Sequence, residues 1–261
     1  MGERMRDAPV YFALIQARHN PILSLGKYVP DLQERMRQAG YPDYRKTQAF
    51  AIQLDPTVEG EVALENSRRY LFLNAEATSA FLLDANAITY QTTSYQTFDN
   101  FLDEFWKGLA IVHSCVTLSF IERLGLRYLD AIVPPGGADE LANYIVPGVL
   151  GLAGLLPPDI PIVHTLSETY VASDEGHLLS RTIIQDGQVR FPAGLELLGL
   201  KLASKFAEVR SVHATLDNDA FWESRFGPEE IELKRRLWKL HDRVEMAFKV
   251  ATTKHAREQW K

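Results

Sequence analysis

The feature that most constrains the fold of this chain is a row of apolar side chains that follows Thr97. The row recurs every three or four residues and includes four phenylalanines: Phe98, Phe101, Phe105, Leu109, Val112, Val116 and Phe120. This period places the whole row on one face of an α-helix, and a face so apolar must be buried. Thr97 is a good helix cap, and Asp99 suits the positive first turn. The sequence therefore predicts a long helix that lies across a sheet and ends at Gly125.

Short apolar runs separated by small polar residues predict the strands of that sheet. The predicted strands cover residues 10–18, 48–54, 70–75, 79–84, 88–93, 126–133, 162–172, 177–185 and 206–216. Residues 55–67 are polar and are predicted to form a loop. One further helix is predicted before Gly40 and another after Pro228. Runs of strands interrupted by single helices indicate an α+β fold: a large, mainly antiparallel sheet with two long helices packed on it.

Proline and glycine at residues 134–139 mark the strongest candidate boundary in the chain. This boundary predicts an N-terminal α+β half over residues 1–134, a connector over residues 135–160, and a C-terminal β-β-β-α half over residues 161–261. The two halves are either similar sheet-plus-helix layers or parts of one continuous domain, and the sequence leaves both open.

The composition favours a cytoplasmic protein that does not enter a membrane. The only cysteine, Cys115, excludes an intramolecular disulfide and fits a reducing compartment. The first residues, MGERMRDAP, are too charged for a signal peptide. The longest apolar stretch, residues 145–156, is shorter than the ~20 residues that span a bilayer, and Pro147 interrupts it. The net charge of -6 argues against a dedicated nucleic-acid binder.

The stretch RLGLRYLD carries a cation, a phenol and a carboxylate: Arg127, Tyr128 and Asp130. If it is a strand, Tyr128 and Asp130 point to one face of the sheet and Arg127 to the other. A structural salt bridge at the corner between helix and strand is the commoner explanation of such residues. The functional alternative is a contact to an anion or another polar ligand at the end of the strand.

This stretch also belongs to a wider resemblance. The segments IQARHNP, TTSYQTFDNFLDEFW and RLGLRYLD, with a late strand that ends in Asp217, resemble a sporadically distributed bacterial family of uncharacterised proteins of about this length. The resemblance extends over nearly the whole chain. Arg127 and Tyr128 stand at the basic and aromatic corner of that family, and Asp130 stands where such corners often carry Asn or Asp. The family has no established activity, so the resemblance supports the domain limits and implies no mechanism.

The sequence contains no familiar catalytic or cofactor motif. His164 and Glu168 lie four residues apart on one predicted strand, and His177 and His213 lie on two others. Zinc needs three or four ligands that converge on one point, and no short motif such as HExxH supplies them. A GxSxG elbow, a GxGxxG loop and a P-loop are also missing. We therefore predict no metal and no cofactor, and the sequence leans away from an enzyme.

Two functional hypotheses follow. The leading one is a non-enzymatic binding or protein-interaction protein, such as a homodimer formed through a helix or a sheet edge, because Trp222, Trp238 and Trp260 lie among basic residues and a meander offers a free edge. The rival is an enzyme or binder that acts on RNA or a phosphorylated ligand through sheet arginines and a histidine. The candidate binding residues are Arg127, Tyr128, Asp130, Arg210, His213 and Trp238. If Arg127, Arg210 and His213 met in one open cleft, the rival would gain support.

Overall fold

A single antiparallel sheet of nine strands organises the part of the protein that the structure describes. The computed structural model describes residues 7–54, 62–136, 140–157 and 159–261, with the backbone alone for residues 49–54 and 62–67. The strands are β1 (Val10–His19), β2 (Asp43–Leu54), β3 (Val62–Leu73), β4 (Ser79–Leu83), β5 (Ala87–Thr92), β6 (Ile121–Ile132), β7 (His164–Ser173), β8 (Gly176–Gln185) and β9 (His213–Phe226). They are arranged in the order β2-β3-β4-β5-β1-β6-β9-β8-β7. The predicted α+β class and large antiparallel sheet are confirmed.

The helices are α1 (Leu25–Gln38), α2 (Phe98–Val116), α3 (Leu141–Tyr144), α4 (Pro147–Leu150), α5 (Ser204–Ala207), α6 (Glu230–Ala251) and α7 (Lys254–Gln259). Helices α1, α2 and α6 have 14, 19 and 22 residues, so the described part has three substantial helices and not only the two long ones of the predicted fold. The proposed similarity of the two halves stays a prediction. Among the described residues, none of the helices combines the length and the apolar character that crossing a membrane requires.

Helices α1, α2 and α6 cover one side of the sheet, which we call the helix face. Most of the phenylalanine row lies in the core there, with Phe105 fully buried and Phe98 and Phe101 nearly so. Phe120, the last member of the predicted row, lies beyond the helix and is only half-buried. A fully buried side chain of this size contributes about 1.5–3 kcal/mol. Gly108 lets the helix approach the sheet closely, because a Cβ atom there would lie 2.1 Å from the ring of Phe81.

The predicted end of α2 at Gly125 is wrong. The helix ends at Val116, where Thr117 adopts a left-handed conformation with φ 52°. Strand β6 begins at Ile121, and its pairing with β1 shifts register there, because Arg18 faces Arg123 whereas His19 faces Ile121. Such an irregularity adds a residue to one strand, so buried Ile121 and Leu124 stand three residues apart and imitate the helical period.

The last predicted strand, over residues 206–216, is displaced along the chain. Helix α5 occupies the start of that range, and β9 continues for ten residues beyond its predicted end. Asp217 and Asn218 resemble a loop in sequence but lie in the middle of β9, where neighbouring strands supply polar partners. The predicted loop over residues 55–67 is also partly wrong, since β3 begins at Val62; residues 55–61 lie outside the described residues.

The other side of the sheet is covered over only part of its area. A segment that includes Phe191, Leu200 and Phe206 packs on Tyr11 and Phe12 of β1. Both side chains reach this face because the pairing of β1 with β6 shifts register between Val10 and Phe12. Beyond this cover, the helix-free side of β6, β9, β8 and β7 carries mainly polar groups, and we call it the open face.

Candidate functional site

An ion-pair network crosses the open face at its centre. The guanidinium of Arg127 donates from Nε and Nη2 to the two carboxylate oxygens of Asp217, at 2.6 and 2.7 Å. The side chain of Asp217 is 0% exposed and that of Arg127 is 12% exposed, so this bidentate pair is desolvated. Burial lowers the pKa of Arg127, but the hydrogen bonds and charge of Asp217 outweigh burial and raise that pKa above its ordinary value.

Arg181 extends this network towards the edge of the sheet. Its Nη1 lies 3.5 Å from Asp217 on β9, and its Nε donates to Glu168 on β7 at 2.6 Å. The four side chains therefore join β6, β9, β8 and β7 in one line of alternating charge. This arrangement fixes the strands relative to one another and leaves Arg127 and Arg181 with carboxylate partners already in place.

A second group of charges lies beside the network on the same face. The guanidinium of Arg123 stacks over the ring of Phe221 at 4.5 Å and lies 3.9 Å from Asp219. Burial raises the pKa of Asp219, although Arg123 and Arg127 oppose that shift. Arg123 also approaches Glu223 at 3.5 Å, so it shares two carboxylates.

The helix face of the same strands holds a different polar cluster, formed by Tyr128, Asp130, Tyr95 and His241. Tyr128 Oη donates to Tyr95 Oη at 3.2 Å. Asp130 is 7% exposed and has no hydrogen-bond partner among the described residues, and burial raises its pKa to about 7. His241 stacks on Phe98 with 4.0 Å between ring centroids, and burial lowers its pKa.

A groove of about 450 Å³ runs along the open face between strands β7 and β8 and the segment at residues 190–193. Leu166, Ile183 and Phe191 form apolar parts of its lining, and Glu168 and Arg181 contribute charge. Arg190 also lines the groove, and its side chain makes no ion pair with any described residue. The groove reaches the outer edge of the sheet because Leu166 and Glu168 belong to β7.

Strand β7 is the last strand on this side of the sheet and is exposed along most of its ten residues. Its apolar side chains reach solvent: Leu166 is 52%, Tyr170 57% and Val171 43% exposed. All ten residues pair with β8 without a register shift, so the strand is regular. Its other edge has no partner strand among the described elements.

The candidate residues from the sequence lie in several separate places. Arg127 is on the open face, whereas Tyr128 and Asp130 are on the helix face, as strand alternation predicts. Trp238 of α6 is half-buried and packs edge-on against Phe98, with 4.7 Å between the ring centroids. Trp260, which the sequence groups with Trp238, is buried against the rings of Tyr144 and Phe248.

Arg127, Arg210 and His213 do not meet in one open cleft. Arg210 Nη1 donates to the carbonyl oxygens of residues 207 and 209, at 2.9 and 2.6 Å. His213 is fully buried, and its two ring nitrogens lie within hydrogen-bond distance of Ser211 O and Gln185 Nε2. None of these three residues lines the groove described above.

Sequence reasoning missed the counter-ion of Arg127, because the partner lies 90 residues further along the chain. The available signal is the acidic run at Asp217 and Asp219, since two carboxylates within a strand require cationic neighbours. Among the described residues, no group of three or more His, Cys, Asp or Glu side chains is arranged to hold a metal ion.

Comparison with known proteins finds no protein-family model and no curated protein that matches this chain. The resemblance to the bacterial family therefore stays a prediction. The candidate site rests on the geometry of the sheet alone.

Proposed function

We propose that this chain is a protein-interaction protein that docks an extended strand at the free edge of β7, and that the occupant of this edge is a second copy of the chain. The observation that carries the proposal is the regular, exposed and nearly uncharged edge of β7. A strand edge offers a row of backbone N–H and C=O groups that another strand can pair with.

The sequence of β7 lacks the devices that usually protect an edge. Proteins prevent edge-to-edge pairing with lysine, proline, bulges or inward-pointing charges. Strand β7, HTLSETYVAS, has no lysine, arginine or proline, and its carboxylate, Glu168, is bound to Arg181. The opposite edge strand, β2, carries Asp43, Arg45 and Lys46 in its first four residues. Association is therefore expected at β7 rather than at β2.

Charge and side-chain alternation favour one register for two copies of β7. If the two-fold axis is perpendicular to the sheet, the two β7 strands are antiparallel and the open faces of both copies lie on the same side. Odd-numbered residues then face odd-numbered residues of the second copy, and even-numbered residues face even-numbered ones. An axis at Glu168 would place two like charges opposite each other, which is destabilising. An axis at Thr169 places Glu168 opposite Tyr170 of the second copy, so this register is preferred.

The residues of the rival hypothesis give it less support. Arg127 and Arg181 hold Asp217, Arg210 binds backbone carbonyl groups, and the ring nitrogens of His213 have neighbours within hydrogen-bond distance. A phosphate that bound there would first have to displace these contacts.

Cysteine cross-linking tests both the interface and its register. In a Cys115→Ser background, Thr169→Cys should give a disulfide-linked dimer under mild oxidation, because the two copies of residue 169 lie opposite each other. The matched control is Thr165→Cys in the same background. In this register its two copies are roughly 27 Å apart at 3.4 Å per residue, so it should stay monomeric on a non-reducing gel.

A charge on the edge tests the same interface without cross-linking. Val171→Lys should convert the dimer into a monomer in size-exclusion chromatography with light scattering. Val250→Lys, which places the same change at an exposed valine of α6, should leave the dimer intact. A wild-type protein that is monomeric at every accessible concentration would rule out the second copy as the occupant. Equal cross-linking through residues 165 and 169 would rule out the register centred on Thr169.

A further inference from the structure

A second cavity, of about 640 Å³, lies where β2 and β3 continue past the end of β4. The last residue of β3 that pairs with β4 is Tyr70, which faces Leu83. We call this cavity the basic pocket, and its lining residues are Lys46, Thr47, Gln48, Arg68, Arg69 and Tyr70. Among these described lining residues, three carry a cationic side chain and none carries a carboxylate.

Most arginines on the strands pair with a carboxylate, but the cations of the basic pocket pair with none among the described residues. Lys46, Arg68 and Arg69 form no ion pair with any residue that the structure describes, and the buried Nε of Arg69 has no hydrogen-bond partner there. Nearby Arg45, in contrast, donates to Asp43 at 2.6 Å. A buried N–H group without an acceptor is costly, and so is a cluster of like charges. An anion between Lys46 and Arg68 would relieve the repulsion of the like charges.

The register between β2 and β3 brings hydrogen-bond donors together on one side of this strand pair. Tyr70 and Phe72 belong to the core under the helices, so alternation places Arg68 on that same side. Lys46 pairs with Tyr70 and Gln48 pairs with Arg68, which makes Lys46 and Arg68 diagonal neighbours. Diagonal neighbours on paired strands lie about 7–8 Å apart, a distance that an oxyanion can bridge. Arg69, at the next position along β3, points to the opposite side of the strand pair, so it adds positive charge near the pocket without being one of these paired donors.

We infer that the basic pocket binds the phosphate group of a small phosphorylated molecule. Arginine supplies paired N–H donors that match the oxygens of a phosphate, and lysine supplies a point charge. The lining residues that the structure describes are rich in donors and include no carboxylate that would repel an anion. The volume lies within the range of about 300–1,000 Å³ that is usual for small-molecule sites. This site is at the opposite end of the sheet from β7 and does not depend on the proposed dimer.

Isothermal titration calorimetry with sodium pyrophosphate at low ionic strength tests the site. The variant Lys46→Gln/Arg68→Gln/Arg69→Gln should bind pyrophosphate at least about tenfold more weakly than the wild type, because it loses three charged donors. The matched control is Arg37→Gln/Arg235→Gln/Lys249→Gln, which removes the same charge from half-exposed helix ion pairs and should bind like the wild type.

Two further ligands, ATP and a short RNA, show whether the phosphate group belongs to a small molecule or to a nucleic acid. ATP should bind about as well as pyrophosphate and should compete with it. Equal binding by the triple variant and its control, or no binding of either small ligand to the wild type, would overturn the site. A twelve-nucleotide RNA that binds when neither small ligand does would overturn the small-molecule class. If circular dichroism shows that the triple variant is unfolded, exposed Arg68→Gln compared with Arg235→Gln provides the same test.

Discussion

Two buried aspartates lie on opposite sides of one strand pair, and their surroundings differ completely. Asp217 of β9 pairs with Leu129 of β6, while Asp130 of β6 pairs with Leu216 of β9. On the open face, Asp217 meets two guanidinium groups. On the helix face, Asp130 lies among aromatic side chains and meets no cation among the described residues.

The contrast shows how a partner decides the role of a buried carboxyl group. Burial disfavours the charged form of any carboxylate, and only a cation or strong donors can offset that cost. Asp217 has such partners, so its charge helps to hold four strands together. Asp130 lacks them among the described residues, so its raised pKa, about 7, makes it a group that changes charge near neutral pH.

Removing the charge of Asp217 should have the largest effect on stability. Asp217→Asn leaves the buried guanidinium of Arg127 without its counter-ion, and we expect a loss of about 3–5 kcal/mol in the free energy of unfolding. Urea denaturation at pH 7 and one fixed protein concentration measures this loss. Asp219→Asn, which removes a longer ion contact of 3.9 Å on the same strand, is the control and should cost much less. Equal losses in the two variants would show that the Arg127–Asp217 pair contributes no more to stability than the longer contact of Asp219.

Asp130 should make stability fall as the pH rises. Its pKa is about 7 in the folded protein and about 3.9 in an unfolded chain, so the folded state binds the extra proton between these values. The contribution of Asp130 to the free energy of unfolding is therefore greatest at and below about pH 4, decreases as the pH rises to about 7, and is constant above that pH. The slope should be on the order of 1 kcal/mol per pH unit.

The variant Asp130→Asn isolates this group from the other titrating residues. It should flatten the profile of unfolding free energy between pH 4 and 7, and it should be more stable than the wild type at pH 8. Urea denaturation at a series of pH values tests this expectation. An unchanged slope in the variant would mean that Asp130 keeps an ordinary pKa, and the contrast with Asp217 would then disappear.

Arg181→Gln should give the smallest effect of the series. Arg181 is 28% exposed, and Asp217 keeps the closer, bidentate Arg127 when Arg181 is removed. We expect a loss of about 0.5–1.5 kcal/mol in the free energy of unfolding, within the range for a hydrogen bond of ordinary strength. A loss as large as that of Asp217→Asn would identify Arg181, rather than Arg127, as the main counter-ion of the open face.

Much of the fold follows from local patterns in the sequence. The phenylalanine row, with Thr97 as its cap, correctly predicts α2 up to Val116 because period and capping are local properties. The errors arise where a local pattern has two meanings. The spacing of Ile121 and Leu124 fits both a helix and an irregular strand, and the acidic run after Leu216 fits both a loop and a strand with distant counter-ions.

The candidate sites were less accessible from the sequence. It identified Arg127 but not its partner Asp217, and it assigned part of β3 to a loop, which hid the pairing of Gln48 with Arg68. Both relations depend on the register between strands, which no single segment encodes.

The sequence by itself determined which segments must be buried and which face of each strand its side chains occupy, because apolar periodicity and alternation depend only on neighbours along the chain. The tertiary structure alone decided which strand lies at the free edge, which arginines pair with carboxylates and which cations have no such partner among the described residues. The physical reason is that ion pairing and edge exposure depend on distances between segments far apart in sequence, and only the folded sheet sets those distances.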